Sequence, residues 1–219
     1  MKFPNAANGV KKLFTAEILQ IIAAVALAAA AIMGLVMLAN AANENAGATL
    51  GFGAGTLVFS IGGAVVSLIS FILTIVGLVK ASKDDDGFKT ALAFIILAVV
   101  ATIVGSCFQS SNTFIYNICT TLTKIADLCV TCHVILGIIN LADQIGDDAV
   151  AEKGRTLFKV IIAVYVIAII GVASYTFVLI NPALAVIAYV IVCISMVVSI
   201  VSYFLYLSLL SKAKKMLAK

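Results

Sequence analysis

The chain has 219 residues, 63% of them hydrophobic and 11% charged, with a formal net charge of +4 and a mean hydropathy of +1.22. An ordinary soluble domain is about a quarter charged, so this composition excludes one, and the short alternating segments of an outer-membrane barrel are absent. The basic residues cluster at the ends of apolar runs, where they act as topology determinants and contact anionic lipid, so no nucleic-acid partner is expected.

Taken in order, the apolar runs predict six transmembrane helices over about Phe14–Ala39, Thr56–Val79, Phe88–Phe108, Thr113–Ala142, Leu157–Ile180 and Pro182–Leu210. At about 1.5 Å of rise per residue each can cross a hydrocarbon layer of about 30 Å. Helices satisfy their own backbone groups in lipid, so the expected fold is an all-α integral membrane bundle, a single transmembrane domain over residues 1–219.

The first run follows Lys11 and Lys12 and ends at Ala39-Asn40-Ala41, which resembles a secretory cleavage site. Its apolar stretch is about twice a usual signal core, so it is expected to be retained as the first helix. The loop Asn40–Gly55 alternates Gly51, Gly53 and Gly55 and reads as a flexible turn. Small residues recur at i, i+4 spacing in four helices: Ala26, Ala30 and Gly34, then Gly63 and Ser67, Ala101 and Gly105, and Ser195 and Ser199. Such faces let helices approach closely in lipid, within the chain or against a partner.

A repeat of three tandem hairpins is also expected. The odd helices open as Gly9-Val-Lys-Lys, Gly87-Phe-Lys and Gly154-Arg-Thr, and the even ones end around Gly77, Gly137 and Ser208. Acidic clusters precede the second and third openings, at Asp84-Asp85-Asp86 and Asp147-Asp148.

The fourth run carries ionisable residues at membrane depth. Placed at 100° per residue, Asn117, Thr120, Thr121, Asp127 and Thr131 all fall within about 60° of Lys124. Lys124 and Asp127, at i and i+3, can reach one another. Charge in hydrocarbon costs at least a few kcal/mol per residue, so this stripe is expected to face the bundle interior or a water-filled path. One reading makes it a polar conduit with the pair as gate or proton relay. The other makes it a buried structural pair among threonines bonded to their own backbone. Glu17 and Gln20 lie nearer the inner surface and read as interfacial.

Downstream, Cys129-Val-Thr-Cys132-His133 matches the c-type haem attachment pattern, but inside a helix and without a second histidine. Cys129, Cys132 and His133 remain the candidates for a metal site, although a single turn of helix cannot surround an ion alone. Packing residues are the preferred reading, and no metal or other cofactor is expected. Cys107 and Cys119 flank the second outer loop, with a pairing of the two as the alternative to packing.

Asn181-Pro182-Ala183 matches the triplet that aquaporins carry at their pore, but one copy in a short turn reads as an N-cap with proline at the first helical position. With six spans every basic residue except Lys124 sorts to the side of the termini, and the opposite loops carry only Glu44. The positive-inside rule then places both termini in the cytoplasm, with the protein in the cell membrane. No nucleotide loop, metalloprotease helix or nucleophile elbow occurs, so the chain is expected not to be an enzyme. The first functional reading is a small transport or permeation protein, or the membrane subunit of one. The alternatives are a structural or assembly protein binding partners or further copies through its small-residue faces, and a thiol or metal redox protein.

Overall fold

The structure is a computed structural model and describes residues 2–42, 46–178 and 185–218. Six helices occur among the described residues: α1 (Pro4–Ala42), α2 (Ala46–Ala81), α3 (Asp86–Phe108), α4 (Thr113–Ile145), α5 (Asp148–Val178) and α6 (Ala185–Leu217). Among them α1, α2, α3, α4 and α6 contain 5 stretches long and apolar enough to cross a membrane. The exposed surface suits lipid: Leu35 is 67% exposed, Leu57 64% and Ile103 60%. Asn181 and Pro182, with the proposed cap before the sixth helix, lie outside the described residues.

Helix ends follow the local sequence. Pro4 occupies the first position of α1, where its missing N–H costs nothing. Asp85 caps α3 by accepting from Gly87 N, and Asn112 caps α4 by accepting from Phe114 N and Ile115 N. α4 stops at Gly146, whose φ of 83° is a left-handed conformation. There Gly146 N and Asp147 N both donate to Ala142 O, at 2.9 and 3.0 Å.

The chain divides into two compact units, Lys11–Gly77 and Met1–Val10 with Leu78–Lys219. The first is an antiparallel pair made by α1 and α2. Ser70 Oγ donates to Ala16 O at 2.8 Å. Farther along, a Cβ on Gly63 would lie 2.9 Å from Leu27 Cγ, one on Gly55 2.9 Å from Met33 Sδ, and one on Gly53 3.2 Å from Met37 Sδ. These contacts correct the expectation for the first outer loop. Gly51, Gly53 and Gly55 lie within α2, and the last two let the methionines of α1 approach. Their alternation imitates a turn, yet in lipid the same residues permit close helix packing.

In the second unit α3 and α4 run antiparallel. A Cβ on Gly105 would meet Cys119 Cβ at 3.0 Å, and one on Gly87 would meet the Gly137 backbone at 2.9 Å. Between these, Thr102 Oγ1 and Thr123 Oγ1 share a 3.4 Å hydrogen bond. α5 adds to α4 where Gly154 meets Ile139 and Arg155 bonds Asp143 at 2.8 Å. α6 joins α5 through Lys153 Nζ donating to Ser208 Oγ. The large, fully buried side chains include Phe88, Ile135, Ile138, Leu141, Leu209 and Leu210. This core sits where α3 and α5 begin and where α4 and α6 end.

Candidate functional site

The stripe on α4 is laid out by helix geometry, and Asn117 to Thr131 spans about 21 Å of rise. Asn117, Thr121, Lys124 and Asp127 are exposed, while Thr120 and Thr131 are half-buried. The opposite side of α4, with Cys119, Ala126 and Val134, is the buried one. The hydrophobic packing of α4 therefore leaves its polar side unburied.

Each threonine of the stripe back-bonds to a carbonyl one turn earlier: Thr120 to Tyr116 at 2.9 Å, Thr121 to Asn117 at 2.8 Å and Thr131 to Asp127 at 3.1 Å. Their hydroxyl protons are thus committed, and their oxygen lone pairs face outward as acceptors. Among the described residues the ion pair within 4.0 Å is Arg155 with Asp143, so Lys124 and Asp127 are not in salt-bridge contact with each other. The structure thus leaves apart the two charges whose spacing allowed contact. Tyr165 of α5 lies within electrostatic range of Asp127, Cys129 and Cys132.

In the Cys-Cys-His cluster, the His133 ring has contacts within α4 and with α3. His133 Nδ1 lies 2.7 Å from Cys129 O, and its ring stacks at 5.4 Å and 34° against Phe94 of α3. No grouping of three metal-ligating side chains occurs among the described residues. All five thiols are free, with Cys119 buried, Cys129 and Cys132 half-buried, and Cys107 and Cys193 exposed.

Two features escape the sequence reading. The first is an acidic capping system. Asp85 and Asp147 cap their own helices, Asp147 accepting from Val150 N at 3.1 Å. Asp84 instead caps α1, accepting from Ala6 N at 2.7 Å and from Asn5 Nδ2 at 3.0 Å. Burial pushes the Asp85 carboxyl above its ordinary range, against the Gly87 and Asn140 hydrogen bonds, which act the other way, while neighbouring Asp86 adds to the rise. Nearby, partial burial and then the charge of Lys212 lower the Lys153 ammonium.

The second is a crevice of about 250 Å³ between α1 and α2, lined by Glu17, Gln20, Ser67, Ser70, Phe71 and Thr74. Its signal was present as two facing polar sets, Glu17 with Gln20 at i, i+3 and Ser67, Ser70 and Thr74 at i, i+3, i+7. Only the fold shows that they meet. No protein-family model matches the chain, and no curated protein or solved structure matches it either.

Proposed function

We propose that the chain is a six-span protein of the cell membrane, with both termini cytoplasmic, that serves permeation or transport along the polar side of α4. It acts alone, as a homo-oligomer or as the membrane subunit of a larger assembly, and without catalysis. The observation that carries this reading is the exposed line Asn117, Thr121, Lys124 and Asp127, with its two charges unpaired. Such groups are not stable against lipid tails, so water or the polar face of another subunit or copy must meet them. A row of acceptor oxygens flanked by one cation and one anion can replace part of a small solute's hydration shell and discriminate by charge.

The test is osmotic flux in vesicles reconstituted with the purified protein, measured by light scattering against sodium chloride, potassium chloride and glycerol. The wild type is expected to pass at least one of these, and Lys124→Leu or Asp127→Leu to lower that flux at least tenfold while still inserting. Equal flux in variants and wild type, or none above protein-free vesicles, would sink the proposal. The assembly reading is supported by α6, where exposed Ser199 donates to Ser195 O within a small-residue face. By contrast Gly63, Ala101 and Gly105 are already engaged inside the chain. A complex that survives mild detergent and dissociates on Ser199→Leu supports that second reading.

A further inference from the structure

We infer that the cleft between the start of α5 and the end of α6 seats one anionic glycerophospholipid, its phosphodiester held by Lys153, Lys212 and Thr156 and an acyl chain laid over Leu157 and Leu205. The inference rests on the membrane-spanning character of the chain and not on the α4 reading.

The fold brings the two cations together. Lys153 Nζ donates to Ser208 Oγ, and Lys212 stands one turn beyond Ser208 on the same side of α6. The Lys212 charge is near enough to bear on the Lys153 ammonium. Neither lysine has a carboxylate within 4.0 Å among the described residues, and Arg155 is already held by Asp143. Two like charges with no acid between them repel, and an anion bridging them replaces that repulsion with attraction. The Lys153 ammonium has three N–H donors, of which Ser208 takes one, so the others remain for a ligand.

The cleft has the volume and the layout for a lipid. It measures about 310 Å³ and is lined by Ala149, Glu152, Lys153, Thr156, Leu157 and Leu205, which falls within the roughly 300–1,000 Å³ of organic-ligand sites. Along α5 the lining passes from Glu152 and Lys153 through Thr156 to Leu157, with Leu205 supplied by α6. From Ala149 to Leu157 the helix rises about 12 Å. The interfacial layer on each side of a bilayer is about 5–8 Å deep, so one end of the cleft lies among headgroups and the other reaches hydrocarbon. A soluble anion would use only the first end. An amphipathic one uses both.

The remaining polar groups select the headgroup. The threonines of the α4 stripe bond their own backbone, whereas Thr156 has no hydrogen-bond partner among the described residues. Its hydroxyl is free to donate to a phosphate oxygen. Glu152 is exposed at the same mouth, so two lysines against one acid leave a single positive charge in excess. That excess matches a phosphodiester, which carries one negative charge, and Glu152 opposes headgroups bearing further phosphates. A headgroup of neutral hydroxyls can also donate to the Glu152 carboxylate. The ligand is therefore a monoanionic lipid of the phosphatidylglycerol kind, in keeping with the preference of basic pockets between spanning helices for anionic headgroups.

The experiment uses purified full-length protein in mild detergent, titrated with phosphatidylglycerol or phosphatidylcholine and read by native mass spectrometry. One phosphatidylglycerol is expected to bind at a concentration at least tenfold below that needed for phosphatidylcholine. Lys153→Gln and Lys212→Gln are each expected to raise that concentration several-fold, whereas Lys89→Gln, an exposed position on α3, is expected to leave it unchanged. On the wild type, a phosphatidylglycerol with a photoreactive acyl chain is expected to label peptides containing Leu157 or Leu205. Inorganic phosphate in large excess is expected not to displace the lipid; displacement would mean a site for free phosphate and overturns the proposal. Equal binding of the two lipids, labelling confined to other helices, or as large a loss in Lys89→Gln as in Lys153→Gln and Lys212→Gln also overturns it. The lipid comparison and the labelling are made on the wild type, so they stand independently of variant folding and of flux through α4.

Discussion

A Cβ placed on Gly137 would lie 2.7 Å from Cε2 of Phe88, and that ring is completely buried. Gly87 is tighter still in kind, since its Cβ would meet the backbone of Gly137 at 2.9 Å, and backbone moves less readily than a side chain. Gly87→Ala and Gly137→Ala are each expected to cost about 1–3 kcal/mol by overpacking, read as a lower thermal midpoint in detergent. Gly62→Ala, with nothing within 4 Å of its Cβ, is expected to be close to neutral. Asp85 offers a titration at the same scale. Its carboxyl is raised in the folded chain, first by burial, so folding takes up a proton. Its contribution is therefore favourable below the ordinary carboxylate range and is lost as pH rises through the folded value. Asp85→Asn keeps a capping oxygen and removes the charge. It is expected to be the more stable protein at neutral pH and to show a flatter pH dependence of the thermal midpoint.

The three odd helices share a device at the element scale, an aspartate at the N-terminus, where the helix dipole favours negative charge. For α3 and α5 the acid is local, Asp85 and Asp147; the acidic clusters stood out in the sequence, but their capping role did not. For α1 the acid comes from Asp84, far away in sequence. No local pattern could reveal that, because the partner is chosen by folding. Asp84→Ala is expected to cost about 0.5–2 kcal/mol and to leave α1's first turn more open to proteolysis near Asn5. Unchanged cleavage would show that the cap contributes nothing. Helix identities and the polar side of α4 were readable because hydropathy and the 100° period are local properties. The start of α2 was not, since Gly51, Gly53 and Gly55 carry the same letters whether they turn a chain or admit methionine side chains. Nor was the partner of His133, whose neighbour Phe94 belongs to another helix.

Across the whole molecule the question is which ends lie on the same side of the membrane. Lys2 Nζ donates to Gln144 O at 2.7 Å, and one cleft is lined jointly by Phe3, Gly146, Asp147 and Met216. Asn140 Nδ2 reaches Asp85 Oδ2 at 3.3 Å, so the turn before α3 belongs to the same cluster. A five-span or seven-span arrangement would pull Lys2 and Met216 to opposite faces and break that cluster, besides scattering the basic residues. The free energy at stake is large, since burying even one of the lysines at positions 212, 214 or 215 costs a few kcal/mol. The six-span proposal therefore makes a sharp expectation for reporter fusions. Fluorescent protein fused after residue 147 or at residue 219 should fluoresce, and alkaline phosphatase there should be inactive. The same phosphatase inserted after residue 110, between α3 and α4, should be active. The decisive position is residue 219: phosphatase activity there, with fluorescence retained after residue 147, would mean that α5 and α6 together cross only once. The Lys153–Ser208 bond argues for two crossings, because it ties the start of α5 to the far end of α6.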